Sequence, residues 1–508
     1  MFILHAFVLV LSILFGFYGQ VHGNSSKCPD FYCKLVDSKT NLSFSAPQLL
    51  ELHLEFCSDL GALNASHLNR LTMKNCSKDS FKIEYLSSVK NISSLQLQNG
   101  NLTVLQDNEF GQMSKLKVLD LGGNSIRNVS GGTFRNLTQL KLLNLQNNNI
   151  KTLPEKVFQP LENLQLVDLS WNNITNFTKD VLDGNRNLKT LLLKGNPLIE
   201  VGFPDFHFQS IDLSHCLKLK EIKFFSKVDT LILENSGVER LISNERINQI
   251  KAANGKLKDL QLKNKDALIE LDLRGSRLGL SGKNLSEYFC NMWSLERLDL
   301  SNNSLETLPQ QLNILTEEVC LMPSLKFLNL AGNLLASFPM ESYLIGPHLN
   351  ILDLSNNRLK NFTLKSLMVG EASLQSLYLA GNQLTTFDYH ILSSSTFKNL
   401  KEISLHDNKF EESFYDEMAK YLKAKNIHII QKELSLQEDC PKKPKHEWSV
   451  YDILMIIFLL GVVFYVRSKI YSREKDNCCF GINWKRSRNS PNETVSFINN
   501  QETETNLL

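Results

Sequence analysis

One phrase recurs along this chain at a fixed interval, and it limits what the chain can fold into. The stretch Leu116-Lys-Val-Leu119-Asp-Leu121-Gly-Gly-Asn124-Ser-Ile126 returns from Leu140, Leu164 and Leu188, each 24 residues on. Further copies start at Leu49, Leu68 and Ile92 before it and at Leu295, Leu325, Leu349, Leu374 and Leu400 after it. Weaker ones start at Phe208, Val228, Ile247 and Leu268. Chance does not hold such a register, so the 508 residues read as one elongated array and not as several unrelated compact domains.

The residue types follow from the geometry of a stacked coil. The x-Leu-x-Leu-x stretch makes a short strand whose Leu side chains alternate inward and whose neighbours alternate outward. The Asn after each strand (Asn124, Asn148, Asn172, Asn196, Asn303, Asn333, Asn357, Asn382 and Asn408) is expected to turn in. There its amide supplies hydrogen bonds to backbone groups of adjacent coils that a buried turn otherwise lacks. No coil buries its apolar side alone, so neighbours must stack. The array is uneven. Spacings fall to 20, 20, 19 and 21 between Leu188 and Leu268, where Cys216, Ser236, Gly255 and Ser276 replace the ladder Asn. They then rise to 27 and 30, with an insertion around Gln310 to Cys320. Either the solenoid drifts there or that segment is specialised for binding.

The pattern L-x-x-L-x-L-x-x-N-x-L, held from Leu49 to Phe410, resembles the leucine-rich repeat family. The resemblance implies an α/β fold of about 16 repeats: a curved horseshoe solenoid with a parallel β-sheet on its concave face. It also implies ligand or cell recognition by that face, as in Toll-type receptors and the leucine-rich-repeat adhesion molecules. The family's usual four-cysteine C-terminal cap is missing. In its place Glu411 to Lys432 reads as a helix with Phe414, Met418 and Leu422 on one face, then a strand-like Ile427 to Ile430.

The two ends place the chain at a membrane. Residues 2–17 form an apolar run followed by Val21-His22-Gly23, which reads as a secretory signal peptide over 1–23, with a retained signal anchor as the alternative. Residues 450–470 are long enough to cross a hydrocarbon core of about 30 Å as one transmembrane helix. Trp448 and Tyr451 lie before the run, and Arg467, Lys469, Arg473 and Lys475 lie at its end or beyond. Under the positive-inside rule this is a single-pass type I plasma-membrane protein with an extracellular ectodomain. The expected order is signal 1–23, N-terminal cap 24–48, repeats 49–410, C-terminal cap and stalk 411–449, span 450–470, and a short cytoplasmic tail 471–508. Thirteen N-x-[ST] acceptors precede the span, at Asn24, Asn41, Asn64, Asn75, Asn91, Asn101, Asn128, Asn136, Asn173, Asn176, Asn284, Asn302 and Asn361. This density is expected of a glycosylated ectodomain. Cys478 and Cys479, on the cytosolic side, are candidate palmitoylation sites.

Eight cysteines outside the cell suggest disulfides. Cys28 and Cys33 fit closure of a small N-terminal cap. Cys290 and Cys320 each stand five residues before the first Leu of consecutive coils, close enough for a bridge. Cys57 and Cys76 share the ladder position of consecutive coils, as a bridge or as two buried thiols. Cys216 fits a buried ladder thiol. Cys440 then lacks a partner inside the chain and is a candidate for linking a homodimer, which the repeat sheet could equally support.

The sequence contains no nucleotide loop, no nucleophile elbow and no metal-ligand spacing, so no enzyme and no cofactor are expected. Asp120, Asp168, Asp299 and Asp353 are mid-strand outward residues of the repeat, with no His or second acid grouped beside them. The balance of 55 basic and 53 acidic residues, net +2, argues against nucleic acid as the partner. Function is then expected on surfaces. The candidate ligand-binding residues are Leu166, Asp168, Trp171, Leu192, Lys194, Asp212, Ser214, Ile232, Glu234, Lys251, Asp272 and Arg274. They mix exposed apolar groups with charges, and no acceptor Asn falls between Asn176 and Asn284. Three roles fit: an adhesion or recognition receptor for a protein ligand or cell-surface partner, an innate-immune co-receptor or decoy without a signalling domain, and a cis-acting scaffold for another membrane protein.

Overall fold

A computed structural model of the chain describes residues 32–36, 42–45, 49–55, 60–76, 86, 89–276, 292–308, 322–338, 347–367, 373–393 and 397–431. The chain divides into units 1–432 and 433–508, and every described residue belongs to the first. The expected signal, span and tail, and with them Cys28, Cys440, Cys478 and Cys479, lie outside the described residues, as do Cys57, Cys290 and Cys320. Among the described residues no helix is long and apolar enough to cross a membrane.

The first unit is built on one sheet of 18 strands. All are parallel, and each pairs with the strand of the next coil from Tyr32–Val36 to His428–Ile430. Val118, Leu142, Leu166 and Thr190 are successive partners, then Ser210, Thr230, Gln249, Glu270, Arg297 and Phe327. The spacings in the sequence are therefore the pairing register itself, short coils included. At both ends the sheet runs past the repeats, through Tyr32–Val36 before them and His428–Ile430 after them.

Each strand buries its middle residue and the Leu two places on. Leu119 and Leu121, Leu143 and Leu145, and Leu191 and Leu193 have no exposed surface, and each such burial contributes about 1.5–3 kcal/mol. Behind them Phe110, Phe134 and Phe158 form a column at intervals of 24, with the Phe134 and Phe158 rings 5.8 Å apart. The opposite face carries only two-residue strand pairs in the 24-residue coils, Val104–Leu105 with Asn128–Val129 and Asn176–Phe177 with Glu200–Val201. In the short coils it carries strands of its own, Glu221–Phe224, Arg240–Ser243 and Asp259–Leu262, which pair in parallel. Helix α1 (Glu412–Ala424) buries Met418 and Leu422 and leans Phe414 on Phe410 and Tyr389. It stops at Asn426 (φ 60°), whose left-handed backbone turns the Ile427 N–H onto the Leu422 carbonyl and leads into the last strand.

The ladder asparagines turn in as expected. Asn172 Nδ2 donates to the carbonyls of Leu145 (2.9 Å) in the coil before and Leu169 (3.0 Å) in its own, and Oδ1 accepts the Ile150 N–H at 3.0 Å. Asn124, Asn148, Asn196, Asn333, Asn357 and Asn382 repeat this, and all are buried. In the short coils a different arrangement satisfies the same carbonyls. The N–H groups of Cys216, Ser236, Gly255 and Ser276 close tight turns onto Leu213, Leu233, Ala252 and Leu273. Cys216 Sγ and Ser276 Oγ reach back to Leu193 (3.5 Å) and Ala252 (2.8 Å). Burial pushes the Cys216 thiol up to about 12, so it remains an S–H donor.

Neighbouring asparagines test this division. Asn172 is buried and Asn173 exposed. Asn172→Ala should lose about 2–4 kcal/mol in denaturant unfolding, because the buried Ile150 N–H is left unpaired and the Leu145 and Leu169 carbonyls keep only the Asn148 and Asn196 amides as side-chain donors. Asn173→Ala should stay within about 0.5 kcal/mol.

Candidate functional site

Eleven of the twelve sequence-selected residues reach the surface on the outer side of the long sheet, each half-buried or exposed. Ser214 does not. It is 2% exposed, because Asp212 accepts its N–H at 2.8 Å and folds it under the turn. Six of the eleven stand in one continuous row: Asp168, Leu192, Asp212, Ile232, Lys251 and Asp272 are successive strand partners. At about 4.8 Å per strand the row runs some 24 Å. Leu166 belongs to the parallel row two residues earlier, beside Leu142 and Thr190. That row continues through Ser210, Thr230 and Gln249, half-buried polar groups that sequence reasoning passed over because none is apolar or charged.

The aspartates have a structural duty first. Oδ1 of Asp168 accepts the Ser170 N–H at 2.9 Å and Oδ1 of Asp272 the Arg274 N–H at 3.0 Å. Asp120, Asp212, Asp299 and Asp353 do the same, and so do Asn144 and Asn329. A neutral amide serves this turn equally well, so the charge is surplus to the fold. At Asp168 burial pushes the carboxyl above its usual range, Ser170 opposes the shift, and Asp212 and Asp120 add to it. At Asp272 burial again leads upward, partly offset by the Arg274 backbone and guanidinium.

The opposite face of the short coils behaves differently. There Lys220, Glu239 and Lys258 pair in a line (2.9 and 3.7 Å), as do Glu221, Arg240 and Asp259 (3.3 and 2.9 Å). Lys223 and then Arg240 hold Glu221 below the usual range, and Lys220 holds Glu239 there. These exposed pairs add little stability, but they leave that face charge-satisfied. On the long-sheet face Asp272 pairs with Arg274 and Glu270 with Arg297, while Asp168 and Asp212 meet no cation among the described residues.

A further column lies at the strand ends. In fifteen coils the residue just before the ladder position has φ between 52° and 72°, and in fourteen of these its N–H reaches a carbonyl of the next coil. Seven are Asn, five Gly and one Asp, the types that tolerate the left-handed region. Trp171 (φ 55°) and His215 (φ 59°) are the others, with ring centroids 5.6 Å apart across Gly195. A Cβ at Gly195 would stand 2.3 Å from the indole. The sequence reading chose Trp171 as an apolar residue and missed His215; comparing the column coil by coil would have flagged both. Of the large apolar side chains exposed among the described residues, Trp171, Ile199, Leu217 and Phe225 gather in this stretch.

Of the acceptor asparagines, Asn75, Asn91, Asn101, Asn128, Asn136, Asn173, Asn176, Asn302 and Asn361 are all exposed, and none stands on the long-sheet strands. Asn24, Asn41 and Asn284, and the side chain of Asn64, lie outside the described residues. Cys76 is disulfide-bonded, and Cys216 is free and buried. The partner of Cys76 lies outside the described side chains, as does Cys33. Among the described residues no three His, Cys, Asp or Glu gather as metal ligands.

Comparison with known proteins fits this architecture. Residues 90–150 and 138–198 match one leucine-rich repeat family model and residues 294–315 another. No curated protein sequence matches. Among solved structures, TLR13 in complex with ssRNA13 is 20% identical over 78% of this chain and 56% of its own, with TM-score 0.51. Toll in its complex with Spatzle, from Drosophila, is 16% identical over 76% of this chain and 62% of its own, with TM-score 0.51. A leucine-rich repeat protein of Leptospira interrogans is 24% identical over 72% and 91%, with TM-score 0.46. The chain thus spans little more than half the length of the two receptor structures.

Asp272→Asn separates the turn from the charge. The amide keeps the bond to the Arg274 N–H and removes a carboxylate whose folded pKa is raised. Such a group disfavours folding when ionised, so the variant should melt slightly higher at neutral pH. The advantage should vanish as the pH falls below the carboxylate range, where both states are protonated. Melting curves across pH check it.

Proposed function

Since the chain is a leucine-rich repeat protein, we propose that it acts by binding a protein partner across the long-sheet face from Leu166 to Arg274, and that it has no catalytic activity. The observation that carries this reading is the contrast between the two faces of the short coils. One is closed by its own ion pairs; the other presents Leu192 between the carboxylates of Asp168 and Asp212, and Ile232 between Asp212 and Lys251, beside an exposed indole. Mixed apolar and charged surface suits a protein interface, and here only its far end is paired, Asp272 with Arg274 at 3.4 Å, while Asp168 and Asp212 meet no cation among the described residues. Asp168, Asp212, Glu234 and Asp272 stand among the three basic groups Lys194, Lys251 and Arg274 of this face, which suits a phosphate backbone poorly. The exposed acceptor asparagines and the apolar segments 2–17 and 450–470 support a cell-surface glycoprotein that displays this face outward and signals, if at all, through partners.

The test is binding of the labelled chain to cells, with aggregation of expressing cells scored in parallel. Ile232→Arg should abolish binding with no change in melting temperature, while Lys263→Glu on the opposite face should leave it intact. Aggregation of like cells would favour an adhesion role; binding without aggregation would favour the co-receptor or scaffold. Undiminished binding by Ile232→Arg would overturn the reading.

A further inference from the structure

The short word Asp-Leu-Ser followed by an aromatic ring occurs twice on this surface, in coils separated by one. Asp168-Leu169-Ser170-Trp171 lies in one coil and Asp212-Leu213-Ser214-His215 two coils on; Leu192-Leu193-Lys194-Gly195 lies between them. Asp168, Leu192 and Asp212 are strand partners, so the two acids flank one aliphatic side chain about 10 Å apart. At the strand ends the same spacing repeats in the backbone. The Trp171 N–H donates to the Lys194 carbonyl at 2.6 Å, the Gly195 N–H to that of Ser214 at 2.8 Å, and the His215 N–H to that of Glu234 at 2.9 Å. Gly195 carries no side chain, which leaves room for the indole to lie over it toward the imidazole.

Two features are unexplained by folding. Asn or Gly fills this left-handed position in most coils with less strain than Trp, and bulky residues there are outliers. The carboxylates each give one oxygen to a turn that Asn144 makes equally well, yet they meet no cation. Lys194, on the coil between them, pairs with neither. Exposed π-surface next to unpaired, half-desolvated carboxylates is complementary to a flat, delocalised cation.

We propose that Trp171, His215, Asp168 and Asp212 together receive an arginine side chain of the protein partner, its guanidinium stacked on the indole with its charge met by the two acids beside it. This rests on the reading that the long-sheet face binds protein, and it names the chemistry of that partner. Lys194 is then a competing charge at the rim of the site.

The experiment titrates hexa-arginine into the full-length chain, with hexa-citrulline, which keeps the shape without the charge, and hexa-lysine beside it. The readouts are calorimetry and tryptophan fluorescence. Hexa-arginine should bind, hexa-lysine several-fold more weakly, and hexa-citrulline not measurably. Trp171→Asn should lose at least ten-fold in affinity while melting at the same or a higher temperature, since Asn is the residue the fold prefers there. Lys194→Gln should bind more tightly. Equal hexa-arginine binding by Trp171→Asn and the parent chain, or equal binding of hexa-citrulline, would overturn the proposal. If Ile232→Arg abolishes cell binding but Trp171→Asn binds hexa-arginine normally, the site falls and the reading of the face stands. The opposite pair of results would retain the site and remove the reading.

Discussion

A buried carboxamide holds each long coil to the coil before it, and the rest of the architecture depends on that bond set. Asn148 joins the Leu121 and Leu145 carbonyls to the Ile126 N–H, and Asn172 continues with Leu145, Leu169 and Ile150. The turn that follows each strand leaves these groups inside the protein with no water to meet them, so the ladder must be continuous or replaced. Between Cys216 and Ser276 it is replaced. A backbone N–H closes the turn, a thiol or hydroxyl reaches back at two of the four positions, and the coil loses several residues on its far side.

That replacement has consequences for the surface. Coils of 19–21 residues place strands on both faces, so the far face becomes a regular grid on which Lys220, Glu239 and Lys258 fall into line and pair. The near face keeps the same strand register as in the long coils, and it holds Leu192, Asp212, Ile232 and Lys251 as one row on a stiff parallel sheet. Side chains on such a sheet are held in place by the backbone ladder beneath them. The ring pair at Trp171 and His215 sits where the long coils give way to the short ones, at the entry to this segment.

Much of this was legible in the chain before any coordinates. The intervals between leucines are the pairing register, and the repeated Asn marks a buried polar position because only a residue with both donors and an acceptor fits there. The alternation rule also placed most candidate residues correctly. It failed at Ser214, since alternation holds only along a strand, and the Asp212 side chain ends the strand by capping a turn. Nor did spacing reveal that the aspartates cap turns, which requires knowing which N–H each oxygen meets. Backbone sign was harder still. Asn and Gly before the ladder residue look like ordinary loop composition until the column is seen to be left-handed, and only then does Trp171 stand out as a departure.

Amide hydrogen exchange resolved to single residues tests the ladder most directly. The N–H groups of Ile126, Ile150 and Ile174, bonded to Asn148, Asn172 and Asn196, should exchange only through global unfolding. Those of Cys216, Ser236 and Gly255, held by single turn bonds of 3.2–3.3 Å, should exchange at a lower free energy through local opening. Equal protection in both groups, or greater protection in the short coils, would contradict the view that the asparagine carboxamides are what binds the coils together.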